Sequence, residues 1–247
     1  MIENIKIVGT GSKGNSYIIR TDTGEKLLIE AGVSFKAVKE ALNFDLTNIS
    51  GALISHRHGD HSKEINNFIK YGINVYSNSD VNEKFNRVIV LKPQVAVKIG
   101  SFKVFPFNVN HDVPCYGYLI NQGCDYILFA TDTDKIPLTF KIPINVFMIE
   151  SNYSEKVLFD KMIDDNKTQA NTAHILDGHM SAEYANEYIM NHCKTYEYPS
   201  KAIMIHLSDT NSDVSVYDDI FKELRKTTDV IYANNGDEIE ITESAPF

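Results

Sequence analysis

The sequence predicts an α+β fold in which sheets pack on each other and helices cover their outer faces. The chain has 247 residues, 43% of them hydrophobic, which is enough to bury a full core. Short apolar strands dominate its first half, and helical periodicity appears in its second half. No Pro- or Gly-rich linker, long repeat or low-complexity tract interrupts the chain, so we expect a single domain over residues 1–247.

The strand predictions rest on short apolar runs bounded by turn residues. Thr23 and Gly24 mark the turn between the second and third strands. The strand at 52–54 leads directly into a polar segment rich in histidine. The predicted strands are 5–8, 17–19, 27–29, 52–54, 74–76, 88–91, 95–99, 102–109, 116–120, 126–130, 146–149, 202–205, 230–232 and 238–241.

Helices are predicted where apolar residues recur at helical spacing. Ser34 is a candidate N-cap for a helix that runs to about Leu42. Ala182, Ala185 and Ile189 share one face of a later helix. The predicted helices after the first are 155–163, 168–176, 182–193 and 214–224.

Composition excludes several classes of protein. No run approaches the ~18 apolar residues of a membrane span, and the first residues lack the pattern of a signal peptide, so we expect a cytoplasmic protein without membrane contact. Cys115, Cys124 and Cys193 form no CxxC pair, which favours reduced thiols over disulfides or a thiolate zinc site. A net charge of −9 argues against wrapping long DNA or RNA, although bound cations could still support phosphate chemistry.

Gly9, Gly11 and Gly14 form a literal G-x-G-x-x-G after a strand, and Glu30 lies near the distance expected of a ribose-binding acid. A dinucleotide site needs a helix to begin at the third glycine. Here another strand, a turn and a third strand follow instead. We therefore predict a β-hairpin with a tight glycine turn that is available to line a pocket.

The segment His56-Arg57-His58-Gly59-Asp60-His61 has the form H-x-H-x-D-H. Three imidazoles and a carboxylate buried together without a partner would carry a large desolvation cost. Alternate residues of an extended loop point the same way, so His56 and His58 can reach one ion. Asp60 and His61 can then face a second ion. The alternative is a solvated polar loop, but the spacing favours a pair of divalent cations.

This motif resembles the signature of the metallo-β-lactamase superfamily. The segments GSKGNS at 11–16 and LLIEAG at 27–32 resemble its opening hairpin, with Glu30 where many relatives have Asp. His111, Asp132 and His206 follow apolar strands and match the later ligands in order. The resemblance covers nearly the whole chain and implies a four-layer αβ/βα sandwich.

The resemblance also implies how the ligands are shared between two ions. One ion would be held by His56, His58, His111 and Asp132, and the other by Asp60, His61, Asp132 and His206. Histidine and carboxylate ligands suit Zn²⁺ and, less well, Mn²⁺. Asp134 competes with Asp132 for the bridging role, and Asp132 is favoured because it closely follows the strand.

Two further segments, IESNY around Glu150 and GHMSA around His179, resemble RNase Z and its small relatives. The resemblance implies that His179 is the general acid and that Glu150 orients it, and Asp60 is counted with them as a catalytic residue. A histidinium can protonate the leaving alkoxide after water activated by two cations attacks phosphorus. The alternative for His179 is a structural hydrogen bond at a helix start. His174 and His192 match no motif and are predicted to be structural or surface residues.

Three functions remain open after these motifs. A nucleotide phosphodiesterase is preferred, with a slight preference for cyclic or short nucleotides, because the chain is acidic and lacks the arm of RNase Z and the inserted domain of RNase J. A DNA or RNA exonuclease is the alternative, because the chain resembles small single-domain bacterial exonucleases. A thioesterase or lactonase is least favoured, since neither needs the pair Glu150 and His179. The resemblance also allows a homodimer, and Tyr116, Tyr118 and Tyr153 are candidates for base stacking or for core packing.

Overall fold

The computed structural model of the protein describes residues 1–164 and 175–241. These residues form two compact units. The first unit consists of Met1–Phe107, Tyr118–Asp125 and the described residues from Asn234 onward, and the second consists of Asn108–Gly117 and the described residues from Tyr126 to Ala233. The single domain over residues 1–247 stays a prediction.

The described chain contains fourteen strands and a smaller number of helices. The strands are β1 (Ile2–Gly9), β2 (Ser16–Thr21), β3 (Lys26–Ile29), β4 (Ile49–Leu53), β5 (Val75–Ser77), β6 (Ile89–Val90), β7 (Val97–Ile99), β8 (Phe102–Val109), β9 (Cys115–Gln122), β10 (Asp125–Ala130), β11 (Val146–Glu150), β12 (Lys201–Ile205), β13 (Asp229–Tyr232) and β14 (Glu238–Glu240). The helices are α1 (Phe35–Ala41), α2 (Gly59–Ser62), α3 (Ile65–Lys70), α4 (Ser79–Phe85), α5 (Glu155–Asp164), α6 (Ala182–Cys193) and α7 (Val214–Ile220), with a 3₁₀ turn at Leu224–Lys226.

The strands form two mixed sheets of seven. The first has the order β14-β1-β2-β3-β4-β5-β6 and the second the order β13-β12-β11-β10-β9-β8-β7. In the first sheet, β1 to β3 are antiparallel and β3 to β6 are parallel. In the second sheet, β10 to β13 are parallel. Parallel strands bring their carboxyl ends to one edge, where polar residues that follow them can converge.

The core of the first unit lies between its sheet and the helices α1 and α3. Phe35 and Phe68 are both buried, and their ring centroids are 5.6 Å apart. Apolar side chains of β2 to β5 complete this cluster. Its burial stabilises the strand ends from which the histidine motif extends, since each fully buried apolar side chain contributes about 1.5–3 kcal/mol.

The predicted elements agree with this architecture, with differences at the ends. A strand is present at each of the fourteen predicted positions, and the hairpin formed by β1 and β2 confirms that no helix begins at Gly14. The helix predicted at 214–224 ends at Ile220, because the chain turns there to bury both Phe221 and Leu224. Helix α4 was not predicted, although Asn78 caps it by accepting a hydrogen bond from the Val81 N–H.

The helix predicted at 168–176 lies mostly outside the described residues, although 175–178 are helical. His174 lies outside them. Within the described part of the chain, no helix is both long and apolar enough to cross a membrane.

Candidate active site

His56 and His58 extend from the loop after β4. The His56 Nε2 lies 3.0 Å from the His58 Nδ1, and the two rings meet edge to face. The other nitrogen of His56, Nδ1, lies 2.9 Å from the Ser55 hydroxyl. The Ser55 contact orients the His56 ring so that its Nε2 faces the nitrogen of a second imidazole.

Asp60 and His61 lie on α2, directly after these two histidines. The His61 Nε2 is 3.4 Å from a carboxylate oxygen of Asp60. The ring centroids of His61 and His56 are 4.3 Å apart. On the other side of the ring, the His61 Nδ1 is 3.5 Å from the fully buried carboxylate of Glu30. The four ligand candidates of the H-x-H-x-D-H motif are therefore close together in the first unit.

The backbone of the glycine-rich hairpin supports this loop. The Asn15 N–H donates to the Asp60 carbonyl at 2.7 Å, and the Ala31 N–H donates to the His61 carbonyl at 2.7 Å. A Cβ on Gly32 would collide with the Asp60 carbonyl, so only glycine allows the two segments to approach this closely. The apparent dinucleotide motif thus packs against the histidine motif.

In the second unit, Asp132, Glu150, His179 and His206 form one cluster. A single oxygen of Glu150, Oε1, is 2.6 Å from the His179 Nδ1 and 3.1 Å from the His206 Nδ1. The other oxygen accepts the Thr133 N–H at 3.1 Å. Glu150 therefore orients two imidazoles, of which the sequence predicted only His179.

Asp132 lies on the other face of this cluster. Its Oδ1 is 3.7 Å from the His206 Nε2, and its Oδ2 accepts the Thr131 hydroxyl at 2.8 Å. The competing residue Asp134 accepts a hydrogen bond from the Asn110 amide at 3.0 Å instead. Asp132 therefore belongs to this cluster, and its role as a ligand in preference to Asp134 stays a prediction.

Three residues of these clusters have backbone angles that L-amino acids rarely adopt. Glu30, Asp132 and His206 follow β3, β10 and β12, with φ of 64°, 51° and 55°. A positive φ in a non-glycine residue costs of order 1–3 kcal/mol and is concentrated at functional sites. The turn at each strand end directs a polar side chain into its cluster at the expense of local stability.

Burial and charge shift the pKa values of the clustered groups. Burial raises the pKa of Glu30, against the opposing effect of His61. Burial alone would raise the pKa of Glu150, but His179 and His206 hold it below its usual value. Burial alone would lower the pKa of His179, but its charge interaction and hydrogen bond with Glu150 raise it. Glu150 and His179 therefore favour a carboxylate paired with a histidinium.

The remaining candidates are His111, His192 and three tyrosines. His111 follows β8, and its Nε2 lies 3.1 Å from an Asp112 carboxylate oxygen. His192 is buried on α6 against Phe147 and Tyr196, which agrees with a structural role. The three candidate stacking residues are all buried, which favours core packing: Tyr116, Tyr118 and Tyr153.

The donor atoms in each unit fit divalent cations. Two nitrogens that bind one tetrahedral zinc at about 2.0–2.1 Å lie roughly 3.3 Å apart. The spacings of 3.0 Å between His56 and His58 and 3.4 Å between His61 and Asp60 are close to this value. The spacing of 3.7 Å between His206 and Asp132 also fits two ligands of one ion. The sharing of ligands between the two ions stays a prediction of the resemblance.

Comparison with known proteins assigns the family. Residues 25–207 match the family described as "Beta-lactamase superfamily domain", and the chain belongs to this family. It has the metallo-β-lactamase fold, with two mixed sheets flanked by helices, as predicted.

One curated relative and two solved structures illustrate the match. Exodeoxyribonuclease YycJ of Bacillus anthracis is 30% identical over 174 residues, which cover 63% of this chain and 65% of that protein, slightly less than two thirds of its length. The metallo-β-lactamase fold protein YhfI of Bacillus subtilis has a TM-score of 0.72 at 17% identity, covering 97% of this chain and all of YhfI. The short form of human tRNase Z has a TM-score of 0.65 at 13% identity, covering 97% of this chain and 100% of that chain.

Sequence patterns did not identify the residues that orient the ligands. The Asn15 amide contacts the His61 ring. The Asn152 amide donates to the His206 carbonyl at 2.9 Å, and the same amide nitrogen lies 3.3 Å from the His206 Nδ1. The sequence feature that could have pointed to them is an asparagine beside a motif. Asn15 follows the glycine turn, and Asn152 lies two positions after Glu150. Such a signal becomes specific only when the contacting atoms are known.

Proposed function

We propose that this protein is a hydrolase with two divalent metal ions that cleaves a nucleotide phosphodiester bond. The observation that carries this proposal is the contact of 2.6 Å between Glu150 and His179, within the cluster that also contains the ligand candidates Asp132 and His206. Thioester hydrolysis needs no such acid, because a thiolate leaves without a proton. The similarity to an exodeoxyribonuclease further supports phosphodiester chemistry.

The proposed metal ligands are those of the sequence resemblance. They are His56, His58, His111 and Asp132 for one ion and Asp60, His61, Asp132 and His206 for the other. Zn²⁺ is the proposed native metal and Mn²⁺ the second choice, because imidazole and carboxylate ligands suit both. Such ions, when bound, lower the pKa of water and neutralise charge on phosphate oxygens.

The protein's own residues would supply the proton for the leaving group. The His179 Nδ1 donates to the Glu150 carboxylate, so the Nε2 on the opposite side of the ring is the atom that would protonate the leaving oxygen. The raised pKa of His179 keeps the ring protonated at higher pH. Thr133 and Met180 donate backbone hydrogen bonds to the second oxygen of Glu150, which holds the carboxylate in place.

Two substrate classes are proposed within this function. The acidic chain favours cyclic or short nucleotides, because a net charge of −9 weakens binding to a long polyanion. The similarity to an exodeoxyribonuclease favours the end of a DNA strand as the second candidate. Arg57 lies between His56 and His58 and is paired with Asp80 at 2.8 Å, whereas the Lys84 ammonium, which donates to the Arg57 carbonyl at 2.7 Å, adds a positive charge beside the motif in either case.

The test is a substrate panel with purified protein and either Zn²⁺ or Mn²⁺. It contains a nitrophenyl phosphodiester, cyclic mononucleotides, cyclic dinucleotides, single-stranded DNA and RNA, a thioester and a lactone. We expect phosphodiester hydrolysis that a chelator abolishes. His58→Ala and Asp132→Ala should lose both metal and activity, whereas His192→Ala, a matched change of a buried histidine elsewhere, should retain both. Turnover of only the thioester or the lactone would refute the proposal.

A further inference from the structure

Asn15 is fully buried at the end of the glycine turn, and its side chain contacts the histidine motif. The orientation of its amide is determined by a backbone group. The Gly11 N–H donates to the Asn15 Oδ1 at 2.9 Å, and a backbone N–H can only donate. The Tyr17 hydroxyl donates to the same oxygen at 3.1 Å. The nitrogen of the amide must therefore face the other way.

The Asn15 Nδ2 lies 3.0 Å from the His61 Nε2. An amide NH₂ group can only donate, so the His61 Nε2 accepts and carries a lone pair rather than a proton. In a neutral imidazole, the proton is then on Nδ1, which faces the Glu30 carboxylate at 3.5 Å. Asn15 and Glu30 thus favour the same tautomer, and the Asp60 oxygen, 3.4 Å from Nε2, is a competing acceptor at a longer distance than the Asn15 donor.

We infer that Asn15 is a positioning residue that keeps His61 in the tautomer able to bind a metal ion. The His61 Nε2 is also the nitrogen that lies 3.4 Å from Asp60, its proposed co-ligand. When an ion takes the lone pair, the Asn15 amide keeps the Gly11 carbonyl at 3.1 Å and the Asp60 carbonyl at 3.4 Å as acceptors. Metal binding therefore leaves no buried donor without a partner. This inference rests on the metal centre of the proposed function.

The first measurement uses the wild-type protein after treatment with a chelator. Two-bond ¹H–¹⁵N NMR correlations distinguish the two tautomers of a histidine, and loss of a signal in His61→Gln assigns it. We expect His61 to carry its proton on Nδ1. A proton on Nε2 in the wild-type protein would overturn the inference without the need for any variant at position 15.

The second measurement uses Asn15→Asp, which preserves the size of the side chain but replaces the donor with an acceptor. His61 must then place a proton on Nε2 to pair with the new carboxylate, so the lone pair is lost. We expect the affinity for the second Zn²⁺ to fall about 10- to 100-fold, the usual range for residues that orient a ligand. Titration calorimetry and metal analysis measure this change.

Tyr17→Phe is the matched control, because it removes a hydrogen bond to the Asn15 oxygen but leaves the donor to His61. It should retain the Nδ1–H tautomer and two ions per chain. Wild-type affinity for both ions in Asn15→Asp would contradict the inference. Wild-type protein that binds no metal and hydrolyses no phosphodiester would instead refute the proposed function, and the tautomer in the metal-free protein separates the two failures.

Discussion

Replacement of His179 by alanine tests the proposed acid most directly. The His179 Nδ1 is 2.6 Å from Glu150, and the imidazole is largely buried, with 17% of its side chain exposed. A positioned general acid contributes about 10²–10⁴-fold to the rate. This range corresponds to about 3–5 kcal/mol of transition-state free energy at 1.36 kcal/mol for each factor of ten. We expect kcat for a nucleotide phosphodiester to fall by that factor in His179→Ala.

The leaving group provides an internal control for this prediction. A nitrophenolate leaves without a proton, so the same variant should lose less than about tenfold in kcat on a nitrophenyl phosphodiester. Steady-state kinetics on both substrates, with metal content measured on the same samples, separates acid catalysis from metal loss. Equal losses on the two substrates, or loss of metal from the variant, would refute the assignment of His179 as the acid.

Two further predictions concern charge and packing. Glu150→Gln removes the carboxylate that raises the pKa of His179, so the His179 ring should lose its proton at a lower pH. The alkaline decline of kcat should then begin at a lower pH than in the wild type. An unchanged pH–rate profile would contradict this prediction. Gly32→Ala should destabilise the protein by about 1–3 kcal/mol in urea denaturation, because the new methyl group meets the Asp60 carbonyl. Gly178→Ala, whose methyl group meets no atom within 4 Å, is its control, and equal denaturation midpoints in the two variants would count against the close approach.

The sequence predicted the fold well where local patterns are strong. Strands of four or more apolar residues were found at their predicted positions, because burial on both faces requires nearly continuous apolar runs. The short helix α4 was missed, because seven residues with only Val81 buried give little periodicity. The early end of α7 depends on the burial of Phe221 and Leu224, which is a tertiary effect.

The ligand candidates could be proposed from the sequence because they are concentrated in one motif or lie at the ends of strands. His56, His58, Asp60 and His61 lie within a segment of six residues, and Asp132 and His206 follow apolar runs. Glu150 was predicted to orient His179, and its contact with the His179 Nδ1 agrees with this role. That the same oxygen also contacts His206 was not predictable, since residues 150 and 206 are brought together only by the pairing of β11 with β12.

The sequence by itself indicated the superfamily and the order of the strands, and it supplied the candidate metal ligands, because these depend on local composition and spacing. Only the tertiary structure showed that the glycine turn supports the histidine loop, that Asn15 and Glu30 contact opposite nitrogens of His61, and that one oxygen of Glu150 is shared between two imidazoles. The physical reason is that hydrogen-bond geometry and the direction of a lone pair depend on distances of a few tenths of an ångström between segments remote in the chain.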